Sequence, residues 1–203
     1  MGNENPRGPL ANHLIEIEKK CKEGDPTIQD IINILGEDGH YVLIFIFSLP
    51  FLTPMPTLGL SAPFGFTIAV VACLALFGKP PWIPRRWSNR QVSAKTVASI
   101  AEGSEKVFKK ISFFVHPRWG FLFGGTFRPF NTFLIAVSAV LLALPLPVPG
   151  SNAAPAWLIL FQAIAHLEED GLFIVISYLQ AAITLVFFYF IAVGFESGMS
   201  YFS

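Results

Sequence analysis

The sequence predicts an all-helical integral membrane protein with two proline-broken helical hairpins, one full transmembrane helix and amphipathic surface helices. The 203 residues are 53% hydrophobic but only 14% charged, whereas soluble domains are about 25% charged. Two apolar blocks are each interrupted by clustered prolines, and an apolar run at 172–193 is long enough to cross a bilayer. An unusually apolar soluble domain is the alternative, but only a bilayer readily covers so much apolar surface.

The polar region 1–40 is predicted to hold two amphipathic helices on the cytoplasmic surface. Residues 10–23 and 26–35 each place apolar side chains on one helical stripe. For the second helix, Asp25 is the expected N-cap, Pro26 the first helical residue and Gly36 the stop. Both stripes are expected to rest on lipid headgroups or on the membrane domain.

The first hairpin, 41–78, contains the stretch "SLPFLTPMPTLGLSAP" at 48–63. Its uninterrupted pieces hold about 13 and about 15 residues, or roughly 20 and 23 Å of helix. The hydrocarbon core is about 30 Å thick, so each piece alone is short. Two interpretations remain open: an external loop with local bilayer thinning, or a re-entrant hairpin whose tip stops inside the protein.

The segment 79–129 is predicted to be a cytoplasmic and interfacial linker. "KPPWIPRRW" at 79–87 joins aromatic rings to cations, as membrane interfaces do, and 92–115 shows the pattern of an amphipathic helix. Ten of the fourteen basic residues lie between 79 and 128. The positive-inside rule places them in the cytoplasm. Their expected counter-charge is anionic lipid, not nucleic acid.

The last segment, 130–203, is predicted to be a second proline-broken hairpin followed by the transmembrane helix. "LPLPVPGSN" at 144–152 breaks its apolar block, and "EEDG" at 168–171 opens the final run. Beyond 128 there is no Lys or Arg. With both hairpins returning to the cytoplasm, the multi-pass chain has its amino terminus inside and its carboxyl terminus outside.

The two proline clusters resemble each other: "LPFLTPMP" at 49–56 and "LPLPVPGSN" at 144–152 both follow a short apolar helix and precede another. Paired, interrupted segments of this kind predict a binding site near the bilayer midplane. The alternative is that both are plain loops. If they are re-entrant tips, the candidate ligands for an ion or small polar solute are Thr53, Pro54, Pro56, Ser61, Pro147, Pro149, Ser151 and Asn152.

An acidic corner follows the second hairpin, with Glu168, Glu169 and Asp170 after Gln162 and His166. In one interpretation Asp170 simply caps the helix that begins at Gly171. In the other, a carboxyl group at low dielectric carries a proton in exchange for a cation. The spacing matches no zinc motif, and neither a metal nor a cofactor is predicted.

Arg85, Arg86 and Arg128 are predicted to anchor the chain at the interface, or alternatively to grip lipid or sugar-linked phosphates. No Ser-His-Asp set, phosphate loop or catalytic carboxylate pair is evident, so we do not expect an enzyme. The competing hypothesis is a small intramembrane transferase that uses Asp170 and Arg128 on a lipid-linked sugar.

The order of these motifs resembles the ExoD family. "LALPLPVPGSNAAPAWLILFQAIAHLEEDGLFIVISYLQ" is similar to that family's carboxyl half, in its Leu-Pro-x-Pro stretch, its Asn before Pro-Ala, and its acidic-Asp-Gly opening. "PPWIPRRW" stands where the family has a Trp-Leu-Pro-like segment, although Lys79 and a doubled proline enlarge that turn. The resemblance covers about residues 12–195 and implies a bacterial inner-membrane protein linked to exopolysaccharide production.

Two hypotheses of different class follow. The favoured one is a small transporter-like protein for an ion or small polar solute, with an indirect effect on exopolysaccharide. The other is an accessory subunit that docks on a synthesis or export machine and transports nothing. At this length one chain makes a thin bundle, so a homodimer in contact with membrane lipids is also expected.

Overall fold

The computed structural model describes residues 9–52, 59–81, 88–93, 117–146, 148 and 150–200. Within these ranges the chain is helical and forms no strand, only two isolated bridges. The helices are α1 (Pro9–Glu23), α2 (Ile28–Leu35), α3 (Asp38–Ser48), α4 (Ser61–Leu76), α5 (Phe127–Ala143), α6 (Ala153–Glu168) and α7 (Gly171–Ser200), with 3₁₀ turns at Leu49–Phe51 and Gly120–Phe123.

Four short helices form the core of the molecule. The hairpin of α3 and α4 packs against the hairpin of α5 and α6, with α4 beside α5 and α3 beside α6. Ile44, Ile68, Ile135 and Ile159, one from each helix, are fully buried between them. Burying such side chains contributes about 1.5–3 kcal/mol each, so this four-helix contact holds the two hairpins together.

Gly65 lets α4 and α5 approach each other closely. A methyl group at Gly65 would lie 2.7 Å from the carbonyl oxygen of Ala139 and 2.7 Å from the amide nitrogen of Ala143. Small residues permit such backbone contact between helices in membranes. The sequence "GFLFG" at 120–124 also matches the Gly-x-x-x-Gly pattern of close helix contacts. It is not such a contact between α-helices, because Gly120–Phe123 is a 3₁₀ turn.

Helix α7 is the one described helix that is long and apolar enough to cross a membrane by itself, over Gly171–Glu196. Its beginning packs against α6, and Ile174 is fully buried there. Farther along, most large side chains are exposed, including Leu179, Ile183 and Phe190. The apolar helices α4, α5 and α6 hold 16, 17 and 16 residues. At about 1.5 Å per residue each reaches roughly 25 Å, less than the hydrocarbon core.

The start of α3, the end of α4, the start of α5 and the end of α6 meet at one end of the bundle. Tyr41 near the start of α3 contacts both Thr132 near the start of α5 and His166 near the end of α6. The end of α4 and the start of α5 line one cleft with the start of α3. This end therefore carries Lys79, Arg118 and Arg128, whereas Phe51 and Leu144, described residues of the two proline clusters, lie toward the other end.

The amino-terminal helices correct one expectation and confirm another. Thr27, not Asp25, caps α2, because its hydroxyl accepts the amide N–H of Asp30 while the Asp30 carboxylate accepts the amide N–H of Thr27. The side-chain hydrogen bond from Thr27 lowers the pKa of Asp30. Gly36 ends α2 as expected, with a positive φ of 55°. The chain then bends by 116° into α3.

Two prolines of the first hairpin lie within helical structure. Pro50 lies in a 3₁₀ turn that continues α3, and Pro63 lies in the first turn of α4, where a missing N–H costs nothing. The intervening residues 53–58 and the predicted amphipathic helix 92–115, apart from its first two residues, lie outside the described residues. Short backbone hydrogen bonds from Ile28 to Arg90 and from Val92 to Pro26 hold residues 90–92 against the start of α2.

Candidate functional site

A row of buried polar side chains runs through the contact of α5, α6 and α7. Such groups are normally hydrogen-bonded when they are removed from water. The members with less than 7% of their surface exposed are Asn131, Thr132, Ser138, Gln162, His166, Glu168, Asp170, Ser177 and Thr184. This set, named here the buried polar row, contains four of the five residues of the predicted acidic corner, namely Gln162, His166, Glu168 and Asp170.

Tyr41 joins α3 to the buried polar row. Its ring stacks on His166, with centroids 4.1 Å apart and planes inclined by 7°. The ring of Phe123 meets the same histidine edge-on at 5.5 Å. The hydroxyl groups of Tyr41 and Thr132 lie 3.1 Å apart and share a hydrogen bond. His166 is thus sandwiched by aromatic rings in a way that the sequence did not predict.

Asn131 links α5 to α7 and to the 3₁₀ turn before α5. Its amide N–H donates to the carbonyl oxygen of Leu122 at 3.0 Å, and its side-chain oxygen accepts the hydroxyl of Tyr178 at 2.6 Å. Asn131 is fully buried. Both halves of its amide are therefore satisfied, which favours a structural role.

Three polar atoms on α6 have no hydrogen-bond partner among the described residues: Gln162 Oε1, His166 Nε2 and Glu168 Oε1. Gln162 uses its N–H group on Ser177 at 2.8 Å, so only its oxygen is left over. These residues occupy about 9 Å along the helix axis. Each unsatisfied buried group costs about 1–3 kcal/mol, so water or a small solute is expected beside them.

Glu168 lies in the last turn of α6, before the membrane-crossing segment of α7 begins. Burial, and then the negative charge of Asp170, raise the pKa of Glu168 to about 7. A carboxyl group with this pKa exchanges its proton near neutral pH. Chemically, this end of the row can take up and release a proton.

Asp170 is held in an ion pair. Arg118 donates to both of its carboxylate oxygens, at 2.7 and 3.0 Å, and the Asp170 side chain is fully buried. This hydrogen bond raises the pKa of Arg118. Asp170 also accepts the amide N–H of Leu172 at 2.9 Å, as expected of a helix cap. The main chains of Arg118, Glu169 and Gly171 are hydrogen-bonded as well.

The transferase hypothesis uses Asp170 together with Arg128, but the structure pairs Asp170 with Arg118. Arg128 instead donates to Glu37 at 2.6 Å. Glu169 is exposed and adopts a left-handed conformation with φ of 51° in the turn between α6 and α7. The guanidinium groups of Arg85 and Arg86 lie outside the described residues.

The predicted tip residues are only partly described. Thr53, Pro54, Pro56, Pro147 and Pro149 lie outside the described ranges. Of the others, Ser61 is buried at the start of α4, and the Ser151 hydroxyl donates weakly to the carbonyl oxygen of Leu146 at 3.4 Å. Asn152 is half-buried at the beginning of α6 and makes no capping bond with its side chain. Their role as solute ligands stays a prediction.

The comparisons with known proteins concern nearly the whole chain. A family model described as "Exopolysaccharide synthesis, ExoD" matches residues 10–190. The chain belongs to the ExoD family. It is similar to "Protein ExoD" of Rhizobium meliloti (strain 1021), with 31% identity over 182 residues, 88% of this chain and 75% of the relative. No solved structure is significantly similar.

A second relative of this ExoD-family protein comes from Synechocystis sp. (strain ATCC 27184 / PCC 6803 / Kazusa). It is the "Uncharacterized protein slr1875", 26% identical over 174 residues, which cover 80% of this chain and 82% of the relative. The family match extends from α1 into α7 and so includes the whole buried polar row. Together with the apolar helix α7, the family indicates that the protein is associated with the membrane.

Sequence reasoning missed several residues that organise the site of this ExoD-family protein. Tyr41, Asn131 and Tyr178 each have a polar group in an apolar run, which was the available signal. Arg118 lies in the predicted linker 79–129, but nothing local revealed Asp170 as its partner. Among the described residues, no group of three or more His, Cys, Asp or Glu side chains converges as a metal site would require.

Proposed function

We propose that this protein is a small transporter-like membrane protein through which an ion or small polar solute passes in support of exopolysaccharide production. The observation that carries the proposal is the set of three unpartnered polar atoms on Gln162, His166 and Glu168. Helix packing alone does not need them, because apolar side chains of similar volume would avoid the cost of desolvation. Water or solute molecules that hydrogen-bond to these atoms would offset that cost.

The chemistry of the row favours a proton or a small cation. Its free groups are the oxygens of Gln162 and Glu168 and the imidazole of His166, which accept hydrogen bonds or coordinate cations. Ionisable residues at such positions are typical of proton relays in transporters. Glu168 with its raised pKa would be the group that changes charge during transport.

The topology in this proposal is multi-pass in the bacterial inner membrane. Because Lys79, Arg118 and Arg128 share one end of the bundle, the positive-inside rule places that end in the cytoplasm. Helices α3 to α6 are too short to cross individually, so both hairpins would be re-entrant and α7 would carry the chain across. The amino terminus would then be cytoplasmic and the carboxyl terminus external.

Transport is tested by reconstitution of the purified full chain into liposomes that hold pH-sensitive and cation-sensitive dyes. We expect flux of a proton or monovalent cation that Gln162→Leu and Glu168→Gln reduce at least tenfold. Glu196→Gln, an exposed carboxylate removed at the far end of α7, is the charge-matched control and should leave flux unchanged. Flux that is equal in all variants would remove the buried polar row from the mechanism.

The accessory hypothesis predicts a different result. In that case no dye reports flux, and Glu168→Gln still restores exopolysaccharide to a deletion strain as well as the unaltered protein does. The topology has its own test in a variant without Cys21 and Cys73. If Leu60→Cys and Leu144→Cys, both at the proline-rich end, react freely with an impermeant external thiol reagent, these turns are ordinary external loops.

A further inference from the structure

A cleft of about 540 Å³ opens where α2, the start of α3, the end of α4 and the start of α5 meet. Its volume lies in the range of pockets that hold small molecules, about 300–1,000 Å³. The cleft is lined by polar side chains that include Asn33, Glu37, His40, Lys79, Arg128 and Thr132. It lies at the cationic end of the bundle, outside the contact of α6 with α7.

Two cations border this cleft. Arg128 donates to Glu37 at 2.6 Å and also hydrogen-bonds Tyr41, and its guanidinium group has five N–H donors, more than these two bonds use. Lys79 follows the end of α4 and lines the same cleft. Glu37 has 74% of its side chain exposed and competes for Arg128 from the solvent side. An anionic ligand can therefore displace Glu37 without uncovering a buried carboxylate.

His40 provides a second, independent indication of a ligand. Only 3% of its surface is exposed, and its Nε2 atom has no hydrogen-bond partner among the described residues. Its Nδ1–H donates to the carbonyl oxygen of Glu37 at 3.0 Å. In the neutral ring this arrangement leaves a lone pair on Nε2. A ligand hydroxyl that donates to Nε2 would satisfy it.

We propose that the cleft binds a phosphorylated polyol, with its phosphate on Arg128 and Lys79 and a hydroxyl group on His40. One guanidinium group can bind both oxygens of a carboxylate, whereas a phosphate has enough oxygens to contact both Arg128 and Lys79. The exposed amide of Asn33 provides a further hydrogen-bonding group for a polyol. Binding of this ligand in the cleft does not require that any solute crosses the membrane.

A phosphorylated polyol can be a soluble sugar phosphate or the glycerophosphate headgroup of a lipid. The full chain is therefore placed in phosphatidylcholine nanodiscs, and binding of glycerol 1-phosphate is measured by calorimetry. We expect binding, none for glycerol, and at least fivefold weaker binding for methyl phosphate, which lacks the hydroxyl groups. If methyl phosphate binds as tightly, the role of His40 is wrong.

The same titration in nanodiscs that contain phosphatidylglycerol separates the two sources. Apparent affinity that falls several-fold there indicates that the lipid headgroup occupies the cleft, whereas an unchanged affinity indicates a soluble ligand. Either result supports the shared chemistry. Absence of glycerol 1-phosphate binding in phosphatidylcholine overturns the proposal.

Three substitutions within the cleft and one control outside it locate the site. Lys79→Gln and Arg128→Gln should each weaken binding at least tenfold, and Lys19→Gln, an exposed cation on α1 outside the cleft, should change nothing. Glu37→Gln should strengthen binding several-fold, because it removes the competitor for Arg128. Lys79 and Glu37 are exposed, so these two variants remain informative even if Arg128→Gln disturbs folding. Weaker binding in Glu37→Gln, or equal losses in Lys19→Gln, would contradict the assignment.

Discussion

Replacing Gly65 by Ala should force α4 and α5 apart. The added methyl group would lie 2.7 Å from two backbone atoms of α5, where ordinary contacts begin at 3.4 Å. The helices must therefore separate by about 0.7 Å, since neither backbone atom can rotate away as a side chain does. Overpacking of this kind costs about 1–3 kcal/mol.

A second effect of Gly65→Ala has the opposite sign. Alanine in a helix interior is favoured over glycine by about 0.5–1 kcal/mol, because glycine loses more backbone freedom on folding. The clash with rigid backbone should exceed this gain. We expect the free energy of unfolding to fall by about 1–2 kcal/mol, or the melting temperature by about 2–8 °C in a chain of this size.

Gly194→Ala is the matched control. Gly194 lies inside α7, and a methyl group there meets no heavy atom within 4 Å. Only the gain in helix propensity applies, so stability should rise by about 0.5–1 kcal/mol. Both variants are compared with the unaltered protein in mild detergent by SDS titration and circular dichroism. If Gly65→Ala is as stable as Gly194→Ala, the close approach of α4 and α5 does not exist.

Three other predictions concern the buried polar groups. Asp170→Asn weakens the pair with Arg118 and should lower the free energy of unfolding by about 1–3 kcal/mol in SDS titrations, less than for a fully buried pair because Arg118 is 37% exposed. Full stability in this variant would mean that the pair contributes little. The pKa of Glu168 is about 7 in the folded protein and ordinarily 4.5, so the folded state binds the proton more tightly. Stability should therefore decline by up to about 3 kcal/mol as pH rises from 4.5 to 7 and then level off. Glu168→Gln should abolish that slope in denaturation curves recorded across this range, and a persisting slope would point to another group. Tyr178→Phe leaves the Asn131 side-chain oxygen without its donor and should cost about 1–3 kcal/mol in the same titration, whereas a neutral effect would indicate that water replaces the hydroxyl.

Features that depend on local sequence could be predicted. The long apolar run of α7, the end of α2 at Gly36 and the capping of α7 by Asp170 all follow from residues close together in the chain. Pro50 lies within the first helical piece predicted for the first hairpin, and its ring fits a 3₁₀ continuation of α3. The same kind of local reasoning overlooked Thr27 as a cap, although Asp30 three residues later completes a capping box.

Features that depend on distant partners could not be predicted. Arg118 and Asp170 are 52 residues apart, and Arg128 and Glu37 are 91 apart. A guanidinium group accepts any nearby carboxylate, so charge alone does not select the partner. Helix packing makes the selection, and it depends on close contacts such as that at Gly65, which carries no signal in the hydropathy pattern.

The packing of α4 on α5 and of α3 on α6 has a consequence for synthesis of the chain. The first hairpin is complete when the ribosome has made α4, but α5 is finished only about 70 residues later. At about 5–20 residues per second, this interval is on the order of 4–14 seconds. During that time the inward faces of Ile44 and Ile68 have no partner from the second hairpin. The nascent protein therefore depends on the insertion machinery or on lipid to shield them until its other half arrives.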